Sequence, residues 1–332
     1  AQMFKVLHTD GSFRGGPAYY MARGMRSRPL GVAFAGLTIF TCGFSIIMVQ
    51  SNAVAGVIGP DSPLHLPPSA AAAVLVGLSA LVILGGVRRV ARVTEWMAPI
   101  MALVYVVMAV VIVALHITQL PGLVVTIISS AFGPVPFAGG VTGGIIAALT
   151  NGTRRGLFSN EAGLGGAACA AGSATVSHPV QQGFIQAFGV VVDTLFVCTA
   201  TALAILVAGA DVLQPGASAK ESAGTLTQDA IAHLVGEWSR WPMALLVVVL
   251  AYTTIIGAFS YAQVCLDYLT DRPWVARALQ IGAVICAGIG SVQQLTTVWT
   301  LADVLLGLGA IINLVALVLL SRWVVGALRD WE

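Results

Sequence analysis

Residues 154–172 read RRGLFSNEAGLGGAACAAG. Two adjacent arginines and an Asn-Glu pair are followed by residues too small to build a core, and apolar stretches lie on either side. In a 332-residue chain with 9% charged and 58% hydrophobic residues, such a run has one economical reading. It is a polar stretch between apolar windows, with the arginines held at the aqueous boundary.

The surroundings of that run bear on the fold. A mean hydropathy of +0.91 and only 30 charged side chains leave far more apolar surface than a soluble domain buries. The chain is therefore expected to be an all-α integral membrane protein. Apolar windows of the ~20 residues a helix needs to cross a bilayer fall near 31–58, 68–86, 96–118, 123–150, 181–209, 241–265, 275–292 and 300–321, which predicts eight spans. Residues 1–30 read as a cytoplasmic or interfacial start, 31–321 as one transmembrane domain and 322–332 as a cytoplasmic tail. A β-barrel is excluded, because the runs are continuous and lack period-two alternation.

Basic residues set the orientation, since cytoplasmic loops retain them. With eight spans, 14 of the 16 Lys and Arg fall on one side, and only Lys220 and Arg240 on the other. Both ends are thus expected on the cytoplasmic side of the membrane. A net charge of +2 gives no basis for a nucleic-acid partner. The five cysteines are too scattered for a disulfide framework or a metal site and read as small packing residues. The opening AQMFKVLHTDGSFRGG has neither the regions of a signal peptide nor an initiator methionine, and reads as a start in mid-protein. The following GGPAYYMARGM reads as an interfacial helix with Tyr19 and Tyr20 at headgroup level.

Polar groups inside spans are candidates for a path or a site. Gln50, Ser51 and Asn52 sit together in MVQSNAV, either bonding between helices or lining a solute path. Asp193 is a carboxylate well inside a span, and is either a structural pair or a coupling group for a cation or proton. Asp303 lies near the start of its span and reads as an anchor or helix-start cap, whereas Glu95 and Asp267 at span ends read as solvated or interfacial pairs. In AFGPVPFAGGVTGGIIAALTNG, Pro134, Pro136, Gly139, Gly140, Gly143 and Gly144 crowd into 11 residues. Proline removes a donor and glycine costs about 1 kcal/mol relative to alanine, so the helix is expected to break there. Backbone groups freed at that depth are tolerated where they line a cavity or bind a solute. Close packing of small residues is the alternative. Thr253 and Thr254 in AYTTIIGAFSYAQ either bond back to the preceding turn or offer two hard oxygen ligands to a cation.

Taken in order, GGPAYY, MVQSNAV, ALVILGGVRRVARVTEWMAPIMALVY, SAFGP, RRGLFSNEAGLG, HPVQQG, VDTLFVCTATALAIL, YTTIIGAFSY and LAD make the chain resemble the alanine or glycine:cation symporter family, over nearly its whole length. The resemblance implies a leucine-transporter-type fold of two inverted five-helix repeats that moves a small neutral amino acid with sodium or protons, with no other cofactor and no enzymatic chemistry. The first two helices of that fold are expected to be missing, so the eight spans become its third to tenth helices. It implies substrate contacts from Gly139, Gly140, Val141, Thr142, Gly143 and Ala258, and a cation site at Thr253 and Thr254. Asp193, Asn52, Gln50, Asn160 and Glu161 remain candidates for coupling or gating. Where family members often carry an aromatic, this chain has Val141, and where they often carry Gly-Trp it has Gly257 and Ala258. The implied pocket is wider and fits a substrate larger than glycine or alanine. A membrane channel is the competing function, but no repeated filter motif is visible. A second alternative is a fragment of a carrier that does not transport alone. No HExxH or GxSxG motif supports an intramembrane enzyme.

Overall fold

The computed structural model describes residues 1–332 except 10, 60–61, 63–64, 86, 133–140, 213–224 and 332; the side chains of 68, 87–94, 98–99, 102, 109, 130–132, 141–145, 147 and 210 also lie outside the described set. Helices carry almost all of the described chain, as a membrane requires, because a helix satisfies its own backbone groups where no water can.

A short antiparallel hairpin of β1 (Val6–Leu7) and β2 (Phe13–Arg14) precedes α1 (Pro17–Arg23). The 31-residue α2 (Arg28–Ile58) follows, widened by a π turn at Thr41–Ser45. Then come α3 (Pro68–Ile83), α4 (Val87–Leu115), α5 (Leu120–Phe132) and α6 (Val141–Asn160). After the small α7 (Gly166–Ser173), α8 (Pro179–Ala208) carries a second π turn at Val192–Cys198. The chain finishes through α9 (Leu226–Val235), α10 (Arg240–Leu269), α11 (Pro273–Val292), α12 (Leu295–Leu319) and α13 (Ser321–Trp331).

Helices occur in every predicted window. Among the described residues, five are long and apolar enough to cross a membrane: those spanning Arg28–Ile58, Pro179–Ala208, Glu237–Leu269, Pro273–Val292 and Leu295–Leu319. Ser69–Ile83 is apolar but shorter, and Leu103–Leu115 with Leu120–Ser129 qualifies as a bent pair. Outward-facing Leu103, Val107, Val110, Leu195, Leu245 and Ile311 are each roughly half exposed or more, the pattern expected where hydrocarbon is the solvent.

The core lies between α2, α10 and α11, where Ile47, Val54, Ile255, Ile256, Phe259, Ala262, Ala283 and Ala287 are fully buried. The alanines let these helices approach closely, which is how packing is gained when lipid is as apolar as the helices themselves. Along the margins α3 covers α11, α12 lies against α2, and α4 bridges α10 to α8. Polar bonds pin these outer helices. The Tyr252 hydroxyl donates to the Leu78 carbonyl at 2.8 Å, and Tyr105 bonds to Thr201.

Two sequence expectations are corrected. Tyr19 and Tyr20 are not presented to the surroundings as anchors; α1 packs against the bundle and buries both. Tyr19 packs edge-on against Tyr268 at 5.2 Å, and Tyr20 donates to the Asn313 side-chain oxygen. Asp267 is not a solvated neighbour pair. Its partner is Arg14, 253 residues away and 4% exposed, at 2.7 Å, with Gln263 on the other carboxylate oxygen.

The loop between α6 and α7 is clamped by α1, α2 and α12. Gly165 has φ +98°, and a Cβ there would come within 2.6 Å of Pro17 and 2.9 Å of Phe34. Gly165→Ala therefore combines left-handed strain with overpacking, together about 3 kcal/mol. Melting of the detergent-purified protein should fall clearly for this variant. Gly36→Ala, which adds its methyl group to open space on α2, should leave the midpoint unchanged or raise it.

Candidate functional site

Residues 154–172 lie where α6, α8, α10 and α12 converge. The first half closes α6, and the second half is the loop into α7. Asn160 caps α6: its Oδ1 accepts the Ala162 N–H at 2.9 Å, while its Nδ2 donates to Thr194 of α8 at 3.3 Å. Glu161 follows with φ +54°, and Gly163 and Gly165 with φ +90° and +98°. Three left-handed residues in five turn the chain back under the bundle, at strain that surrounding contacts must hold.

Those contacts are polar. Asn313, buried in α12, donates from Nδ2 to the Gly163 carbonyl at 2.8 Å and accepts the Tyr20 hydroxyl at Oδ1. The Glu161 carboxylate accepts from the Ala167 N–H and the Tyr261 hydroxyl. A side chain at 166 would meet Glu161 Oε2 at 2.9 Å and the Tyr261 ring at 3.0 Å, which is why that position is glycine. Burial pushes the Glu161 carboxyl up from the ordinary 4.5 to about 7, and the two donors pull the other way.

Glu161 faces two spaces. One is a small cavity of about 20 Å³, room for a single water, walled by Thr38, Thr41 and Cys42 of α2, by Leu164, and by Leu305 and Gly309 of α12. The other is an open groove of about 590 Å³ that runs past Asn160, Ala167 and Gln182 to Asn313. The π turn of α2 supplies Thr41 and Cys42 to the small cavity. The π turn of α8 supplies Asp193, which accepts the Ser159 hydroxyl at 2.7 Å. Such turns widen a helix and re-aim side chains, and they recur at functional sites.

The remaining sequence candidates are placed as follows. Gly139 and Gly140 lie outside the described residues, and Val141, Thr142 and Gly143 begin α6 with their side chains outside the described set. Ala258 is buried in α10. Thr253 and Thr254 both donate to the Leu250 carbonyl, at 2.8 and 3.0 Å. Thr253 is buried against the Met101 sulfur, whereas Thr254 is exposed. Asn52 ties α2 to the end of α11 through the Gly290 and Gln293 carbonyls, and Gln50 is half-buried beside it. Asp303 is no helix cap. It pairs with Arg155, one guanidinium nitrogen lying 2.6 and 2.8 Å from its two oxygens. The sequence reading missed Asn313, Arg155 and Trp299 as contributors, although an amide in the apolar run AIINLVALVL is a visible signal. Among the described residues no group of His, Cys, Asp and Glu is arranged to hold a metal, and all five cysteines are free.

Comparison with known proteins decides the family. The model of the sodium:alanine symporter family matches residues 1–332. The chain belongs to the sodium:alanine symporter family. It is similar to a probable sodium/glutamine symporter, GlnT, of Bacillus subtilis, 39% identical over 331 residues, which cover 100% of this chain and 67% of that protein. It is also similar to the amino-acid carrier protein AlsT of Bacillus subtilis, 37% identical over 332 residues (100% and 68%). The sodium/alanine symporter AgcS of Methanococcus maripaludis is 35% identical over 338 residues (99% and 72%). The protein is thus a predominantly helical, multi-pass membrane protein of a transporter family.

The raised Glu161 carboxyl makes a prediction of definite sign. The folded state holds that proton more tightly than the unfolded chain, so the contribution of Glu161 to stability is fullest below about pH 4.5. It declines as pH rises towards about 7. Glu161→Gln, neutral throughout, should remove this component from the melting temperature measured between pH 4.5 and 7. An unchanged slope in the variant would assign the titration to another group.

Proposed function

We propose that this chain is the transporting core of a symporter that moves a small neutral amino acid together with sodium, by alternating access. The observation that carries the reading is the hydroxyl pair Thr253–Thr254 midway along α10, beside buried Ala258, in a chain of a sodium-linked family. Hard cations take oxygen ligands. Thr254 is exposed on α10, and its oxygen keeps lone pairs for a cation while its proton is committed to Leu250.

In this reading the windows of the sequence are eight spans, the third to tenth helices of a five-plus-five inverted repeat. The Pro- and Gly-rich segment between α5 and α6 is the break in the sixth helix. Backbone groups at Gly139 to Gly143 then meet the substrate, with Ala258 on the opposite wall, and Thr253 and Thr254 bind the ion. Both ends of the chain lie in the cytoplasm of a prokaryotic cell, which places the loop 161–165 at the inner mouth. Asn160 and Glu161, which hold that loop in its left-handed course, then belong to the inner gate. Asp193 is the place where a proton would be carried if protons replaced sodium, because it is a carboxylate facing a hydroxyl of α6. The small residues Val141 and Ala258 give a pocket wider than alanine needs. That agrees with the amino acid named for the glutamine symporter relative.

The test is uptake of radiolabelled neutral amino acids into vesicles, using the chain together with any sequence that flanks it in the natural protein. Uptake should require an inward sodium gradient. Thr254→Ala should raise the sodium concentration for half-maximal uptake by about tenfold, the effect of one lost ligand worth ~1.4 kcal/mol. Glutamine-sized neutral amino acids should compete with the label. Competition by glycine and alanine alone would rule out the wider pocket, and uptake driven equally by protons would move the coupling role to Asp193.

A further inference from the structure

The ion pair between α6 and α12 has no role in the reading above. Arg155 lies five residues before the end of α6, and Asp303 lies eight residues into α12. The guanidinium reaches both carboxylate oxygens and is stacked on the Trp299 ring, its carbon 4.2 Å from the ring centre. Trp299 also packs against Phe158 of α6, ring centres 4.7 Å apart, and this aromatic pair joins the cluster of Val49, Val298 and Ala302 between α2 and α12. Asp303 is largely covered, with 19% of its side chain exposed.

With 46% of the Arg155 side chain exposed the pair lies at the solvated edge of the bundle, where an ion pair adds little net stability. What such a pair does provide is a definite alternative: closed with both charges satisfied, or open with both hydrated. The surroundings of α6 suit that behaviour. Its principal described neighbours are α12 and the π turn of α8. It also ends on a loop whose residues 161, 163 and 165 are all left-handed, a turning point for the chain.

We propose that Arg155 and Asp303, with Trp299 beneath the guanidinium, form an ionic lock that holds α6 and its loop against α12 in the conformation seen here, and that opens during the transport cycle. The inference takes its purpose from the symport reading, but its readout does not depend on it. Opening the lock separates the walls of the small cavity, since Leu305 and Leu306 of α12 lie one turn or less beyond Asp303, and Glu161 and Leu164 belong to the loop that follows α6. Cys42, 6% exposed, lines that cavity and serves as the reporter.

The experiment uses the full-length protein with Cys169, Cys198, Cys265 and Cys286 replaced by alanine, and measures the alkylation rate of Cys42 by N-ethylmaleimide in permeabilised membranes. Asp303→Asn and Arg155→Gln should each accelerate labelling about tenfold or more, within the usual range for coupled conformational equilibria. The double variant R155Q/D303N should label no faster than the faster single variant, because the second change has no interaction left to remove. The exchanged pair R155D/D303R should slow labelling again. If the single variants aggregate, the double variant, which leaves no charge unpaired, decides alone. A monodisperse R155Q/D303N protein that labels at the parental rate overturns the lock, as does a double variant whose acceleration is the product of the two singles. A parent protein with no sodium-dependent uptake but with this labelling pattern overturns the symport reading and leaves the lock standing.

Discussion

A backbone that leaves its helix inside a membrane protein must find partners for the carbonyls and amides it frees, and the loop after α6 depends on that constraint. The Gly163 carbonyl is taken by Asn313, and Asn313 is itself held by the Tyr20 hydroxyl. Through these bonds a left-handed turn is joined to the last long helix and to the first short one. Remove the amide, and a buried carbonyl loses its donor while α1 loses the group that draws it under the bundle. The small residues of the loop are then a requirement of geometry, because Pro17, Phe34, Tyr261 and Glu161 occupy the space any side chain at 165 or 166 would need.

Much of the architecture was legible because apolar length is a strong signal. Each predicted window contains a helix, and the polar run 154–172 does connect two of them. Where reading along the sequence stopped short, the cause was distance. Arg14 and Asp267 are 253 residues apart, Arg155 and Asp303 are 148 apart, and no local pattern announces either pair. Tyr19 and Tyr20 look like headgroup anchors by composition, and only the folded bundle shows that α1 faces protein.

The candidate site was legible to a different degree. Asn160 and Glu161 stood out as polar residues in an oily chain, whereas Asn313 met the same criterion and was passed over within a longer apolar run. Asn52 combined two open readings, and the structure gives it two backbone carbonyls of α11, a bond between helices. The threonine pair remains double-natured in the structure as in the sequence: both hydroxyls donate to one carbonyl, but one oxygen is buried against sulfur and the other is exposed.

The two π turns decide which side chains the later halves of α2 and α8 present. A π turn accommodates one residue more than the α turn it replaces, and the helix beyond it is rotated by about 100° relative to an uninterrupted one. In α2 the turn at Thr41–Ser45 is followed by Ile46 and Ile47, which meet the core, and in α8 the turn at Val192–Cys198 contains Asp193 and precedes Thr201, which face different partners. Each turn therefore lets one helix present two registers of side chains along its length. Deleting one residue within either turn would restore an uninterrupted helix, and everything beyond would have to be re-paired at once.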